Sequence, residues 1–235
     1  MTYSINYRKA VQYELMYGRE AIRAIRDFPV GYLPIGCLER HGDHLPMGLD
    51  VIKAHRICCI VAKAIGGVVF PPHYYAGTHN MTREQLAKYT GEWGNIYTDA
   101  TAKDSLVDVI NQLALAGIRV LVLYSGHYPR SQIEMIHEIA DDFKSHPTIT
   151  IIPFCESLIM EGDHAGVSET SLMLYLDKEM VDMKAIGEEN YRDHGWSERN
   201  APEKATAAKG EGDVERIITY LKGEIEKALG INITD

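Results

Sequence analysis

The chain has 235 residues, 46% of them hydrophobic and 24% charged, which is the balance of a folded globular protein and excludes collagen, low-complexity disorder and disulfide miniproteins. Its 24 basic and 33 acidic residues give a formal charge of −9. The average field therefore repels a nucleic-acid backbone or an anionic membrane and suits a small neutral or cationic substrate.

The first twenty residues mix Arg8, Lys9, Glu14 and Arg19 among apolar ones and show neither the apolar core nor the cleavage site of a signal peptide. Val30 to Gly36 reads as a buried strand, and Val51 to Ile65 as a helix stopped by Gly66-Gly67. Val68 to Phe70 starts another strand. In Lys103 to Ala116, Leu106, Val109, Ile110 and Leu113 fall at i, i+3, i+4 and i+7, an amphipathic helix closed by Gly117. Ile118 to Tyr124 is a nearly continuous apolar run, as expected of a parallel strand covered on both faces. A helix with Ile133, Ile136, Ala140 and Phe143 on one stripe follows, then a strand at Thr148 to Phe154 and a helix at Glu169 to Leu176. Tyr191 to Gly212 reads as a polar, glycine-containing loop. Val214, Ile217, Ile218, Leu221 and Ile225 mark a last amphipathic helix. Strands and helices alternate, which predicts one α/β domain over residues 1–235 with a mostly parallel sheet and helices on both faces. Such sheets hold ligands beyond the carboxyl ends of their strands.

Three stretches at those ends carry the chemistry. After the first strand, Glu39, His41, Asp43, His44 and Asp50 crowd into one turn, and in extended chain Glu39 and His41 project to the same side. Oxygen and imidazole donors suit zinc or manganese, and a carboxylate can bridge two ions. The plainer reading is a polar loop capping the next helix, with Asp50 as N-cap. Ser125-Gly126-His127-Tyr128 follows the central strand, and His164 to Thr170 sets a histidine and Glu169 around a helix start, where Ser168 or Glu169 also suits capping. His55, His137 and His146 lie in helix or helix-end patterns as ordinary residues, and Cys58 and Cys59 lie in a core pattern. Cys37 sits beside the acidic turn, but no base is paired with it for a thiolate nucleophile. The four cysteines lack CxxC spacing and read as reduced thiols. No apolar run reaches the roughly 20 residues of a membrane span. The expected location is the cytoplasm, with no nucleic-acid or membrane partner.

Leu33 to Gly42 with Leu45-Pro46 and Gly48-Leu49-Asp50 resembles the E-[QR]-H-G-x-H-L-P-x-x-x-D motif of the creatininase (creatinine amidohydrolase) family. Ser125-Gly126-His127 is similar to that family's N-G-H loop, His164 to Ser171 to its H-[AG]-G-x-x-E-T-S motif, and Ala208 to Glu211 more distantly to an element before its last helix. The resemblance implies an α/β amidohydrolase with two divalent ions per chain, zinc, manganese or iron, assembled as a homo-oligomer, a hexamer in the family. It implies Glu39 and His127 on one ion, His41 and Glu169 on the other, Asp50 bridging both, and His164 as the catalytic histidine. A hydroxide bridging the ions would be the nucleophile.

Three departures bear on the substrate. Met160 stands where creatininases carry a tryptophan, and Pro129 where they carry an acid, while Thr90 to Asn95, with Trp93, replaces a family loop. Tyr128 matches creatininase, and Thr78, His79, Tyr128, Met160 and Asp163 are the expected substrate contacts. The sequence thus predicts hydrolysis of a non-peptide C–N bond in a cyclic amide or a formamide, with creatinine itself a poor substrate. A binuclear phosphoesterase and a non-catalytic metal-bound assembly protein are the alternatives.

Overall fold

Four short, wholly parallel strands form the centre of the computed structural model, which describes residues 11–90, 94–186 and 202–233. They are β1 (Val30–Ile35), β2 (Val68–Val69), β3 (Val120–Ser125) and β4 (Thr150–Phe154), in the spatial order β2-β1-β3-β4. β1 and β3 run side by side from Val30↔Val120 to Ile35↔Ser125, so both end at the same level. That register brings the residues after Ile35 and after Ser125 to one edge of the sheet.

The helices are α1 (Gly18–Asp27), α2 (Leu49–Ile65), α3 (Arg83–Thr90), α4 (Ala102–Leu115), α5 (Arg130–Asp142), α6 (Val167–Asp177) and α7 (Ala207–Leu229). Alternation along the strands divides the core in two. Tyr32, Val122, Tyr124 and Phe154 face α2, α6 and α7, whereas Leu33, Ile35, Leu121 and Leu123 face α4 and α5. Every residue of β1 and β3 is buried, which explains their unbroken apolar runs.

The sequence misplaces several boundaries for identifiable reasons. Ile118 and Arg119 precede β3, because Gly117 at φ +105° turns the chain and Arg119 donates its N–H to the Pro29 carbonyl at 2.8 Å. α2 begins at Leu49 with Gly48 as N-cap, so Asp50 sits in the first turn and is not the cap. Residues 207–212, expected as loop, are the first turns of α7, capped by Thr206, whose hydroxyl accepts from the Lys209 N–H at 3.2 Å. Position 210 is a glycine within the helix because any side chain there would overlap the Ser171 carbonyl, and its bare Cα lets α7 close on α6. α1 and α3 had no counterpart in the sequence reading. Trp93 and the 191–201 part of the expected loop lie outside the described residues.

Candidate metal centre

Each strand end and helix start delivers one part of a buried polar cluster. Beyond β1 the chain stays extended: Leu38 bridges Ile96, and Glu39 donates its N–H to the Met47 carbonyl at 2.9 Å. This turns Glu39 and His41 inward together. The first turn of α2 adds Asp50, the end of β3 adds His127, and the first turn of α6 adds Glu169. All five are at most 4% exposed.

Asp50 lies between the two imidazoles. Its Oδ1 is 3.1 Å from His41 Nε2 and its Oδ2 is 3.3 Å from His127 Nδ1. Glu39 Oε2 stands 3.0 Å from His127 Nδ1, and Glu169 Oε2 stands 3.7 Å from His41 Nε2. The far nitrogen of each ring is tied to a backbone carbonyl, His41 Nδ1 to Glu39 at 3.0 Å and His127 Nε2 to Thr78 at 3.1 Å. When those nitrogens donate, the lone pairs turn to the carboxylates, which is how proteins orient imidazole ligands.

Three buried carboxylates facing two imidazoles need balancing cations, because an isolated charge in a dry site is costly. In the metal-free chain the histidines take that role. Burial works against a charged His41, but Asp50 and Glu169 overcome it and raise its pKa to about 9. Burial likewise opposes a charged Glu39, yet His164, once protonated, and His127 bring it down to about 2. Divalent ions fit the same donors: Glu39, Asp50 and His127 with Cys37 form one group, and His41, Asp50 and Glu169 another, each with its donor atoms within 4.8 Å of one another.

The His164 ring lies tilted by 34° against that of His41, with centroids 4.3 Å apart. Its Nε2 is 2.9 Å from the Arg40 carbonyl, and burial lowers its pKa below 6.5, so the neutral ring with the proton on Nε2 carries its lone pair on Nδ1. Ala165 next to it adopts φ 55°, a left-handed conformation uncommon for alanine, and this aims its N–H at Glu169 Oε2, 2.7 Å away.

A cavity of about 340 Å³ opens onto the cluster, lined by His79, Tyr128, Pro129, Asp163 and His164 together with the five donors and others. Of the expected substrate contacts, His79, Tyr128 and Asp163 face it. Thr78 instead orients His127 through its carbonyl and donates its own N–H to Gln132 at 2.8 Å. Met160 packs against the apolar cluster of the α2, α6 and α7 side and is not a lining residue. Asp163 also closes the start of α6, its two oxygens accepting from the N–H groups of Ser168 at 2.6 Å and Glu169 at 3.1 Å. Burial and the neighbouring Glu169 raise its pKa to about 6.

Sequence reasoning missed the support behind the donors. Lys53, wholly buried in α2, is 2.7 Å from Glu169 Oε1 and 3.3 Å from Glu156 Oε1. Tyr128 donates to the same Glu169 oxygen at 3.0 Å, and Tyr97 donates to Glu39 Oε1 at 2.8 Å. Lys53 carried no clear signal, because α2 also holds the polar residues His55, Arg56 and Lys63. Tyr97 carried none.

The comparisons with known proteins agree with this architecture. The family model described as creatininase, creatinine amidohydrolase, matches residues 14–224. The chain belongs to the creatininase family. A creatinine amidohydrolase of Pseudomonas putida is 30% identical over 179 residues, covering 66% of this chain and 66% of that protein, so the chain spans just under two thirds of that relative's length. Among solved structures, a creatininase named for manganese superposes with a TM-score of 0.75 at 24% identity, over 93% of this chain and 98% of its own. A variant creatininase of Zn-Zn type gives 0.74 at 25% identity with the same coverage. The parallel sheet flanked by helices is thus the fold of this family. No helix among the described residues is long and apolar enough to cross a membrane.

Proposed function

We propose that this creatininase-family chain is a metal-dependent amidohydrolase that cleaves a non-peptide C–N bond in a small cyclic amide or formamide, using two divalent ions. The observation that carries the reading is Asp50, whose two oxygens face His41 and His127 separately, as a carboxylate shared by two ions would. Glu39 and His127 would hold one ion, His41 and Glu169 the other. Bound there, the ions supply Lewis acidity, which polarises an amide carbonyl and brings the pKa of a shared water toward neutrality.

The chain's own residues do the rest. His164 would accept at Nδ1 the proton given up by the attacking water and pass it to the departing nitrogen, a role open to it because burial keeps it neutral beforehand. Its Nε2–H, anchored on the Arg40 carbonyl, fixes the plane in which the proton moves. Pro129 and Ile133 give the cavity an apolar wall that limits water, and Tyr128 holds Glu169 through its hydroxyl while its ring faces Lys53. A cavity of this size takes a small molecule and no polymer. No Arg or Lys is among its lining residues, so a transferring phosphoryl group would find no side-chain cation to clamp it beside the ions. The reading extends to a cytoplasmic homo-oligomer, in keeping with four free buried cysteines and with the family resemblance.

The test is a hydrolysis screen of cyclic ureas, lactams and formamides, creatinine included, on zinc- and manganese-loaded protein. Released amine or formate is the readout, with His164→Ala as control. Turnover lost in that variant while its metal is retained supports the enzyme. Absence of turnover across the panel, with two ions bound, favours a metal-ordered assembly protein.

A further inference from the structure

Cys37 is the one donor of the cluster with no part in the function proposed above. It leaves the end of β1 fully buried and points at the carboxylates: its Sγ is 3.3 Å from Asp50 Oδ2 and 3.9 Å from Glu39 Oε2. His127 Nδ1 stands 3.3 Å from that Asp50 oxygen and 3.0 Å from that Glu39 oxygen. Cys37, Glu39, Asp50 and His127 therefore present four donor atoms, all within 4.8 Å of one another, around one point. The other cysteines are elsewhere. Cys58 and Cys59 lie in α2, buried in the apolar core, and Cys155 follows β4 beside Ser157.

The spacings match a tetrahedral ion. With zinc bonded to sulfur at about 2.3 Å and to nitrogen or oxygen at about 2.1 Å, tetrahedral angles put N and O donors about 3.4 Å apart and S and O donors about 3.6 Å apart. The N–O edges here are 3.0 and 3.3 Å, and the S–O edges are 3.3 and 3.9 Å. Gly77 closes the far wall, since a methyl group at that position would overlap the Cys37 side chain. The thiol is thus confined against the cluster by backbone.

We propose that Cys37 is a thiolate ligand of the ion held by Glu39, Asp50 and His127. This rests on the metal-centre reading above and makes its two halves chemically unequal. The half with Cys37 is a four-donor site of one sulfur, one nitrogen and two oxygens, a set that favours zinc. The half with His41, Asp50 and Glu169 has one nitrogen and two oxygens, accepts zinc or manganese, and keeps an open position for substrate. On coordination the thiol proton leaves to solvent and the sulfur lone pair forms the metal bond.

The experiment loads stripped full-length protein with cobalt(II) and records its electronic spectrum beside metal analysis. A sulfur-to-cobalt charge-transfer band in the near ultraviolet is expected. It should vanish in Cys37→Ser and Cys37→Ala while the visible ligand-field bands persist in at least one of them. In zinc–manganese competition, Cys37→Ser should lower zinc affinity at one position by about 10-fold or more. Ligand-field bands without the charge-transfer band in the wild-type protein overturn the proposal, as does a band unchanged in both variants. One cobalt per chain with the band present supports Cys37 and overturns the paired-ion reading, so the two failures are distinguishable.

Discussion

Two helices start at the metal centre, and each brings one carboxylate in its first turn, yet Asp50 of α2 and Glu169 of α6 are held in opposite ways. Glu169 is fixed from behind: Lys53 and Tyr128 take one oxygen, and the Ala165 N–H takes the other. Asp50 is surrounded by His41, His127 and Cys37, each a candidate ligand. Glu169 is therefore oriented without an ion, whereas the partners of Asp50 are themselves the groups that an ion would engage. Both are candidate donors, but only Glu169 is also tied down by the scaffold behind it.

That contrast can be broken in stages. Asp50→Ala should have the largest effect, releasing both ions and taking hydrolysis to background, while His41→Ala or His127→Ala should weaken mainly one ion. Equal metal content in Asp50→Ala and wild-type protein would falsify the shared carboxylate. Lys53→Met should leave Glu156 and Glu169 buried without their cation and cost about 3–5 kcal/mol in urea unfolding. Adding Glu156→Gln should recover part of that loss, and no recovery would locate the damage outside the ion pair. His164→Ala should reduce turnover about 100- to 10,000-fold at unchanged metal content.

A fourth expectation concerns pH. Burial opposes a charged His41, but Asp50 and Glu169 raise it to about 9, so its contribution to the stripped protein is complete below 6.5 and is lost as pH rises through 9. Glu39, brought down to about 2 by His164 and His127 against its burial, contributes above 4.5 and loses that contribution as pH falls toward 2. Burial raises Glu156 and Asp163 to about 6, which favours their protonated forms and adds a penalty above that pH. Stripped protein should melt at a lower temperature at pH 9 than at pH 6. Zinc-loaded protein should show the reverse, because ions displace the histidine protons and bind more tightly as pH rises. The same direction in both forms would contradict the shared role of these groups. The smallest change should come from Asp163→Ala, which removes a cap that α2 lacks and should cost about 1 kcal/mol, read as a lowered Tm.

Which parts of this were legible in the sequence follows from range. β1, β3, β4, α4 and α5 show their burial locally, as apolar runs or stripes, and Glu39, His41, Asp50, His127, His164 and Glu169 stand at the strand ends and helix starts where parallel sheets place ligands. α1 buries only Ala21 and Ile25, too few positions to mark a stripe. The start of α7 was hidden because Gly210 answers to Ser171 on a different helix. The role of Lys53 depends on Glu169, 116 residues away, and nothing near either residue announces the pair. Met160, judged by its spacing from His164, was expected at the substrate, but it packs, partly buried, against the apolar cluster and does not line the cavity.

Gly126 has a consequence for anyone redesigning this pocket. It follows β3 directly, and any side chain there would fall on the Asp50 carbonyl, so main chain meets main chain between Asp50 and His127. Two donors drawn from distant stretches are thereby spaced without help from packing that mutation could alter. Pro129, Ile133 and Ser157, which shape the wall, take no part in that contact. A library varying these three positions can explore new substrates while the donor cluster keeps its dimensions, whereas one that includes position 126 will discard most of its members before selection begins.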